Sequence, residues 1–178
     1  MAAPEGSQSA EPTAYFVADD GVFPNSRRPA LVYRAALEPK KPDLASRFER
    51  RFAANGWTGA WRNGLYTVHH YHSTAHEVLG VYSGHVAVRL GGPDGVLLTL
   101  TAGDVVVIPA GLAHKNESES ADFHVVGAYP AGTSPDMQYG KPGERPASDE
   151  RIARLPLPSA DPMLGERRGL CELWRAGA

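Results

Sequence analysis

The strongest constraint on the fold is a series of short β-favouring runs in the middle of the chain. Six such runs follow one another, separated by turns rich in glycine and aspartate: Tyr66–His72, Glu77–Tyr82, His85–Leu90, Val96–Thr101, Val105–Ile108 and Asp122–Tyr129. Short strands joined by tight turns are typical of antiparallel sandwiches and barrels. No internal repeat is present, so the sequence predicts an all-β fold with one copy of the barrel.

The barrel is expected to lie within one domain, as the length of 178 residues suggests. Residues 1–13 are small and polar and predict a disordered tail. The domain is expected over residues 14–178, with a barrel core at about 61–130. Runs at Tyr15–Val17 and Ala30–Leu37 predict two short strands ahead of it.

One helix is predicted before the barrel. Leu44, Phe48 and Phe52 recur at four-residue spacing, which places them on one face of a helix, and Gly56 stands where a C-terminal cap is expected. Charged residues occupy the other faces, so the pattern indicates a packing role for this helix.

The chain from Pro130 onward is rich in proline, glycine and charge. Seven of the 15 prolines lie there, which argues against further regular sheet because proline cannot donate to a strand ladder. Residues Asp149–Leu155 fit one or two helical turns. The remainder predicts an extended strap across the barrel surface.

Composition excludes several classes of function. The formal net charge is −2 and no basic run occurs, so neither nucleic acid nor an anionic membrane is an expected partner. Cys171 is the single cysteine, which precludes an intrachain disulfide framework. No apolar run approaches the roughly 20 residues of a membrane span, and the first residues lack the features of a secretory signal. A cytoplasmic location is the expectation.

Histidine is confined to the middle of the sequence. All seven histidines lie between His69 and His124. Strand alternation puts His70 and His72 on one face, and the next strand returns Glu77 opposite them if that face is interior. Because each buried, unpaired polar group costs about 1–3 kcal/mol, this pattern favours a bound metal ion.

A further partner for this group is expected from a distant segment. The best-placed candidate is His114, which follows the apolar run Val105–Ile108 and then Pro109 and Gly111. Proline fixes one backbone angle and glycine admits positive φ, so the chain can turn sharply there and present His114.

These residues fall into two motifs that resemble those of the cupins. The first motif is Gly, five residues, His-x-His, three or four residues, Glu, six residues, Gly; it is matched by Gly64, His70, His72, Glu77 and Gly84. The second is Gly, five residues, Pro-x-Gly, two residues, His, three residues, Asn; it is matched by Gly103, Pro109, Gly111 and His114. The asparagine position holds Ser118, with Asn116 two residues earlier.

The flanking sequence resembles the small bacterial YjlB-like cupins. The segments that carry this resemblance are Asp20–Asn25, His69–Ser73, His76–Gly80 and Val126–Pro130, and it covers most of residues 14–174. The resemblance implies an RmlC-like jelly roll, or double-stranded β-helix, with one N-terminal helix and an extended C-terminal strap.

By the cupin resemblance, one divalent transition metal ion is bound by His70, His72, Glu77 and His114. Three imidazoles and a carboxylate suit Fe, Zn, Ni or Mn, and the affinity order alone does not choose among them. Four protein ligands would leave two positions of an octahedral ion open.

Three other histidines leave alternatives. His76 lies at the end of a turn, where strand parity fails, so it could replace or supplement Glu77. Parity places His69 on the outer face, where a packing or supporting role is expected. His124, on the last core strand, could be structural or an acid–base group.

The resemblance favours an Fe(II)-dependent dioxygenase acting on a small organic substrate. The alternatives are an isomerase, epimerase or lyase that uses the metal as a Lewis acid, and a ligand- or metal-binding module without turnover. Aromatic residues near a barrel are more often part of the core, but six could line the pocket: Trp57, Trp61, Tyr66, Tyr71, Tyr82 and Tyr129. A homodimer is expected, because Val78–Val81 and Val105–Ile108 are apolar on both faces and cupins often pair sheet to sheet.

Overall fold

The computed structural model of the protein describes residues 11–175, in which nine strands and three helices occur. The strands are β1 Thr13–Val17, β2 Ser26–Tyr33, β3 Trp57–Asn63, β4 Glu77–Ser83, β5 His85–Leu90, β6 Val96–Thr101, β7 Val105–Ile108, β8 His114–Glu119 and β9 His124–Pro130. The helices are α1 Leu44–Ala54, α2 Ala147–Arg154 and α3 Leu170–Leu173. Of the tail expected over residues 1–13, residues 1–10 lie outside the described part, and β1 begins at Thr13.

The strands form two antiparallel sheets. One has six strands in the order β1-β2-β7-β4-β9-β3, and the other has three in the order β6-β5-β8. Neighbouring strands such as β2 and β7 are far apart in sequence, as the jelly-roll crossovers require. The predicted all-β jelly-roll fold is therefore confirmed.

The central strands β4 and β7 separate two hydrophobic cores. Leu79, Val106 and Ile108 point between the sheets, whereas Val78 and Val107 point to the outside of the six-stranded sheet. All five side chains are buried, because successive residues of a strand face opposite ways and both faces of this sheet are covered. The interior face also carries Glu77, as the alternation predicts.

Helix α1 covers part of the outer face, as expected. Phe48 and Phe52 stack with ring centroids 5.6 Å apart and are fully buried. The helix can approach β4 closely because Gly80 has no side chain: a Cβ there would lie 2.8 Å from the Phe48 ring.

The predicted C-terminal strap covers the rest of that face. Trp174 is fully buried and its indole Nε1–H donates to the Pro29 carbonyl over 2.9 Å. Asp161, also buried, accepts from the backbone N–H of Leu170 at 2.8 Å and from the Tyr33 hydroxyl. The helical turn predicted near Asp149 is α2, whereas α3 was not predicted.

The coverage of the outer face bears on the expected homodimer. The apolar strands β4 and β7 are buried by α1 and the strap of the same chain. Those two strands therefore give no reason for pairing, and the oligomeric state itself stays a prediction.

No helix among residues 11–175 is long and apolar enough to cross a membrane.

One predicted strand is wrong. Residues 66–72 form an irregular segment with isolated bridges. Strand alternation would place Tyr66 and Val68 on the same face as the two histidines, yet they are 63% and 50% exposed. The segment does not pair continuously with one neighbour. His70 pairs with His114 on one side, and Tyr71 pairs with Gln138 on the other.

Two strands were missed by sequence reasoning. Strand β8 consists of polar residues, His114–Glu119, and only its first half is buried, so it lacks the apolar signal of a core strand. Strand β3 begins at Trp57, earlier than the predicted barrel, and most of its residues are exposed.

Candidate metal centre

The centre is built around a backbone bridge between His70 and His114. The His70 N–H donates to the His114 carbonyl over 3.2 Å, and the His114 N–H donates back over 2.9 Å. The two imidazole centroids consequently lie 4.1 Å apart. The turn before His114 contains Gly111 at φ 92°, as the motif predicts.

The same turn fixes His72. The Gly111 N–H donates to the His72 carbonyl over 2.8 Å. This bond joins the segment that contains His70 and His72 to the turn that leads into β8. A side chain at Gly111 would place its Cβ 2.2 Å from the Asn25 carbonyl oxygen, which explains why glycine is needed there.

The three imidazoles share one orientation. Their Nδ1 atoms lie within hydrogen-bond distance of backbone carbonyls: His70 with Val68 at 2.9 Å, His72 with Asp136 at 2.5 Å, and His114 with Leu112 at 3.1 Å. Donation from Nδ1 fixes the tautomer and leaves the Nε2 lone pair free for a metal.

The free nitrogens converge. His70, His72 and His114 each offer a ligand atom within 4.8 Å of the others, and all three residues are buried. The Nε2 atom of His114 makes no well-aligned hydrogen bond among residues 11–175, although Oε2 of Glu77 lies 3.3 Å away. A buried polar atom without a partner is costly, and a cation at the centre of the cluster would satisfy it.

Glu77, the first residue of β4, completes the group. Its Oε2 atom lies 3.3 Å from Nε2 of His72 and 3.3 Å from Nε2 of His114. Burial would raise the pKa of the Glu77 carboxyl, but the facing imidazoles of His114 and His72 hold it well below its usual range. The carboxylate is therefore charged, 4% exposed, and surrounded by histidine nitrogens.

The pKa values of His70 and His72 shift in opposite directions. Burial, and then the neighbouring His114, lowers the pKa of His70 to about 3. Burial would also lower the pKa of His72, but the hydrogen bond and the charge of Glu77 outweigh it, so the pKa is raised. The negative charge of Glu77 therefore favours a positive charge beside it, whether a proton on His72 or a metal ion.

The other histidines lie outside the cluster. The His76 Nδ1 atom accepts from the Ala110 N–H over 2.9 Å, and its ring centroid lies 4.9 Å from that of Trp174. Trp174 belongs to the hydrophobic core on the outside of the six-stranded sheet, the outer core. His69 lies against Phe23 with centroids 5.8 Å apart. His124 is exposed and stacks on Tyr82 at 5.7 Å.

A cavity of about 510 Å³ opens onto the cluster. Its walls are mainly apolar and aromatic, and its lining residues are Trp61, Arg62, Asn63, Gly64, Leu65, Tyr66, His70, His72, Glu77, His114, Tyr129, Pro135 and Met137. Of the six aromatic residues considered from the sequence, Trp61, Tyr66 and Tyr129 line the cavity. The other three do not: Trp57 and Tyr71 are buried in hydrophobic clusters, and Tyr82 packs against the cluster of Trp57. Pro135 and Met137 come from the strap, and no motif in the sequence indicated them.

Comparison with known proteins agrees with this fold. A family model described as a cupin domain matches residues 61–127, which run from β3 to β9. A curated protein, 42% identical over 165 residues, aligns with 92% of this chain and 97% of its own length. The chain belongs to the cupins. That relative is the uncharacterized protein YjlB of Bacillus subtilis (strain 168), and this chain belongs to the same YjlB-like group.

Two solved structures show low similarity to this chain. Acireductone dioxygenase from Bacillus anthracis, solved with a cadmium ion in the active centre, is 18% identical with a TM-score of 0.44, over 62% of this chain and 83% of that one. The dTDP-6-deoxy-D-glucose-3,5-epimerase RmlC from Legionella pneumophila is 19% identical with a TM-score of 0.35, over 68% and 64%. Similarity at this level does not indicate which reaction, if any, this chain catalyses.

Proposed function

We propose that the protein binds one divalent transition metal ion through His70, His72, Glu77 and His114 and acts on a small organic substrate in the adjoining cavity. The observation that carries the proposal is the convergence of three imidazoles, each oriented through its Nδ1 atom by a backbone carbonyl, on one buried carboxylate. Dioxygenase chemistry is the favoured reaction class.

The donor set supports this class of ion. Three imidazole nitrogens and one carboxylate oxygen suit Fe, Mn, Ni or Zn. The bound ion would supply Lewis acidity and, if it is Fe(II), the capacity to react with O₂.

The cavity indicates the kind of substrate. A volume of about 510 Å³ lies within the range of small-molecule sites. Among its described lining residues the one cation is Arg62, whose guanidinium donates to the Glu49 carboxylate over 2.6 and 2.9 Å. With this charge paired, we expect an uncharged or weakly acidic compound with an apolar or aromatic body, held at its polar end by the metal.

Tyr129 is the residue placed to hold a proton in the cavity. Its hydroxyl oxygen accepts from the Trp61 Nε1–H over 2.8 Å, which leaves its own O–H to donate. Burial and the charge of Glu77 raise the pKa of Tyr129, so the phenol stays protonated at neutral pH.

A protonated phenol near the metal ligands also favours a second candidate reaction. In an isomerase, epimerase or lyase, Tyr129 would donate a proton to a substrate that the metal polarises. Turnover that persists without O₂, and with Zn(II) in place of Fe(II), would identify this class.

The test of the proposal is metal analysis of protein purified without a metal-binding tag. We expect about one ion per chain in the wild type, loss of the ion in His72→Ala and Glu77→Ala, and retention in the control His124→Ala, which changes an exposed histidine outside the cluster. Stoichiometric metal that survives both substitutions would refute the site. Oxygen uptake by the Fe(II) form with candidate substrates then separates the two reaction classes.

A further inference from the structure

We infer that Asp136 is a positioning residue for the proposed metal site, and that docking of residues 134–138 of the strap is coupled to metal binding. This inference rests on the proposed function, because it concerns the same site. The inference assigns a role in the site to residues 134–138, which follow the region matched by the cupin family model. That region ends at residue 127.

The first contact is with a proposed ligand. The backbone carbonyl of Asp136 accepts from Nδ1 of His72 over 2.5 Å, across 64 residues of sequence. His70 and His114 donate the equivalent bond to a carbonyl two residues away, that of Val68 or Leu112. His72 is therefore the member of the cluster whose orientation depends on a distant segment.

The carboxylate of Asp136 fixes that carbonyl in place. It accepts from the Ser73 N–H at 2.6 Å, from the Thr74 N–H at 3.1 Å and from the Ser73 hydroxyl. In return, the Asp136 N–H donates to the Thr74 hydroxyl oxygen over 2.9 Å, and that hydroxyl donates to the Ser134 carbonyl over 2.6 Å. Every one of these bonds joins the strap to the two residues that follow His72.

The strap also supplies one of the two neighbours of the His-x-His segment. Tyr71 exchanges backbone hydrogen bonds of 2.9 and 3.0 Å with Gln138, on the side opposite the His70–His114 bridge. Pro135 and Met137, on either side of Asp136, line the cavity. Undocking of residues 134–138 would therefore release His72 and open the cavity wall together.

Docking of residues 134–138 and binding of the metal ion should be thermodynamically linked. If the ion binds tightly only when His72 is held, then docking of the strap raises metal affinity, and metal binding must stabilise the docked strap by the same factor. Supporting residues of this kind change metal affinity by about 10- to 100-fold in other proteins.

The experiment compares Asp136→Ala and Asp136→Asn with the control Asp161→Asn. Asp161 is a suitable control because it is another strap aspartate that accepts from backbone N–H groups, those of Met163 and Leu164, in the outer core. Co(II) is titrated into each metal-free protein. Affinity is read from the visible absorption spectrum, which also reports the geometry around the ion.

We expect Asp136→Ala to weaken Co(II) binding by about 10- to 100-fold and to change the spectrum. Asp136→Asn should have a smaller effect, because its amide oxygen can still accept from the Ser73 and Thr74 N–H groups. Asp161→Asn should keep the wild-type affinity and spectrum. Wild-type affinity in Asp136→Ala would overturn the inference and leave the proposed function standing, whereas a wild type that binds no metal would overturn both.

Hydrogen exchange of the wild-type protein keeps the test decisive if Asp136→Ala does not fold. The backbone amides of residues 134–138 should exchange more slowly when Co(II) is bound than in the metal-free protein, and the amides of Met163 and Leu164 should be unchanged. Equal exchange at residues 134–138 with and without Co(II) would overturn the coupling.

Discussion

His70 and His114 stand side by side because their backbones, not their side chains, pair with each other. The two hydrogen bonds of this isolated bridge set the 4.1 Å distance between the imidazole centroids. A site held in this way forms only when the turn before His114 has the right shape. The geometry of that turn is therefore open to direct test.

Gly111→Ala should destabilise the protein and weaken metal binding. The residue has φ 92°, and a Cβ would lie 2.2 Å from the Asn25 carbonyl oxygen, so both strain and a backbone clash arise. We expect a loss of about 1–3 kcal/mol in the free energy of unfolding, measured by urea denaturation. Gly132→Ala is the matched control, since Gly132 also has positive φ, 81°, but its Cβ would have no neighbour within 4 Å. Equal losses in the two variants would contradict the clash.

Metal should stabilise the folded protein. Any ion that binds the native state alone raises the free energy of unfolding, by about 2.7 kcal/mol when its free concentration is 100 times the dissociation constant. Addition of Zn(II) to chelator-treated protein should therefore raise Tm, and a chelator should reverse the effect. His72→Ala should show no such shift, while His124→Ala should behave as the wild type. A Tm shift of wild-type size in His72→Ala would show that the ion binds elsewhere.

Gly127→Ala should disturb the cavity wall. Gly127 faces Trp61 across the β3–β9 pair, and a Cβ would lie 2.2 Å from the indole ring. The ring must move, which breaks the bond from its Nε1 to the Tyr129 hydroxyl and costs about 1–3 kcal/mol in overpacking. We expect a changed tryptophan emission spectrum.

The contribution of Trp61 is isolated by subtraction. Trp57 and Trp174 are buried in the outer core, so the difference between each protein and its Trp61→Phe variant reports Trp61 alone. An identical difference spectrum with and without Gly127→Ala would contradict the displacement.

The buried pair Tyr33 and Asp161 predicts a loss of stability at high pH. Burial and then the neighbouring Asp161 carboxylate raise the pKa of Tyr33 above its ordinary value of about 10. The folded state thus favours the protonated phenol, and its contribution is complete below about pH 10 and falls as the pH rises above it. Unfolding of the wild type and Tyr33→Phe should be compared from pH 8 to 11 (about the range that brackets this value).

The part of the pH dependence that belongs to Tyr33 should be absent in Tyr33→Phe. Tyr139→Phe serves as the control, because Tyr139 is 41% exposed and lies outside this pair. A Tyr33→Phe protein that loses stability above pH 10 as steeply as the wild type would refute the assignment.

Glu77 and His114 could be placed from the sequence because their spacing encodes their geometry, whereas His70 and His72 were correctly grouped with them by the cupin motif. Alternation along β4 puts Glu77 on the interior face with Leu79, and the turn at Gly111 leads His114 back to the same place. The strand predicted at residues 66–72 is wrong because a period-two pattern was taken as evidence of a continuous strand. Its histidines are positioned by bridges to two different neighbours, and a period-two pattern does not distinguish that arrangement from a strand.

The supporting contacts could not be predicted from the sequence. Asp136 meets His72 through a backbone carbonyl, and any residue type offers that group. Trp174 and Phe48 share the outer core although they are far apart in the sequence, and their burial depends on where the strap crosses the sheet. Interactions of this kind are set by the path of the chain rather than by a local pattern.

The distance in sequence between His72 and Asp136 has a consequence for biosynthesis. The chain leaves the ribosome N-terminus first, so His70 and His114, whose backbones pair, emerge before residue 136 does. A nascent chain would then present two histidines in place and a third without its carbonyl partner. We expect an ion captured at that moment to exchange readily until residues 134–138 have emerged and docked beside His72.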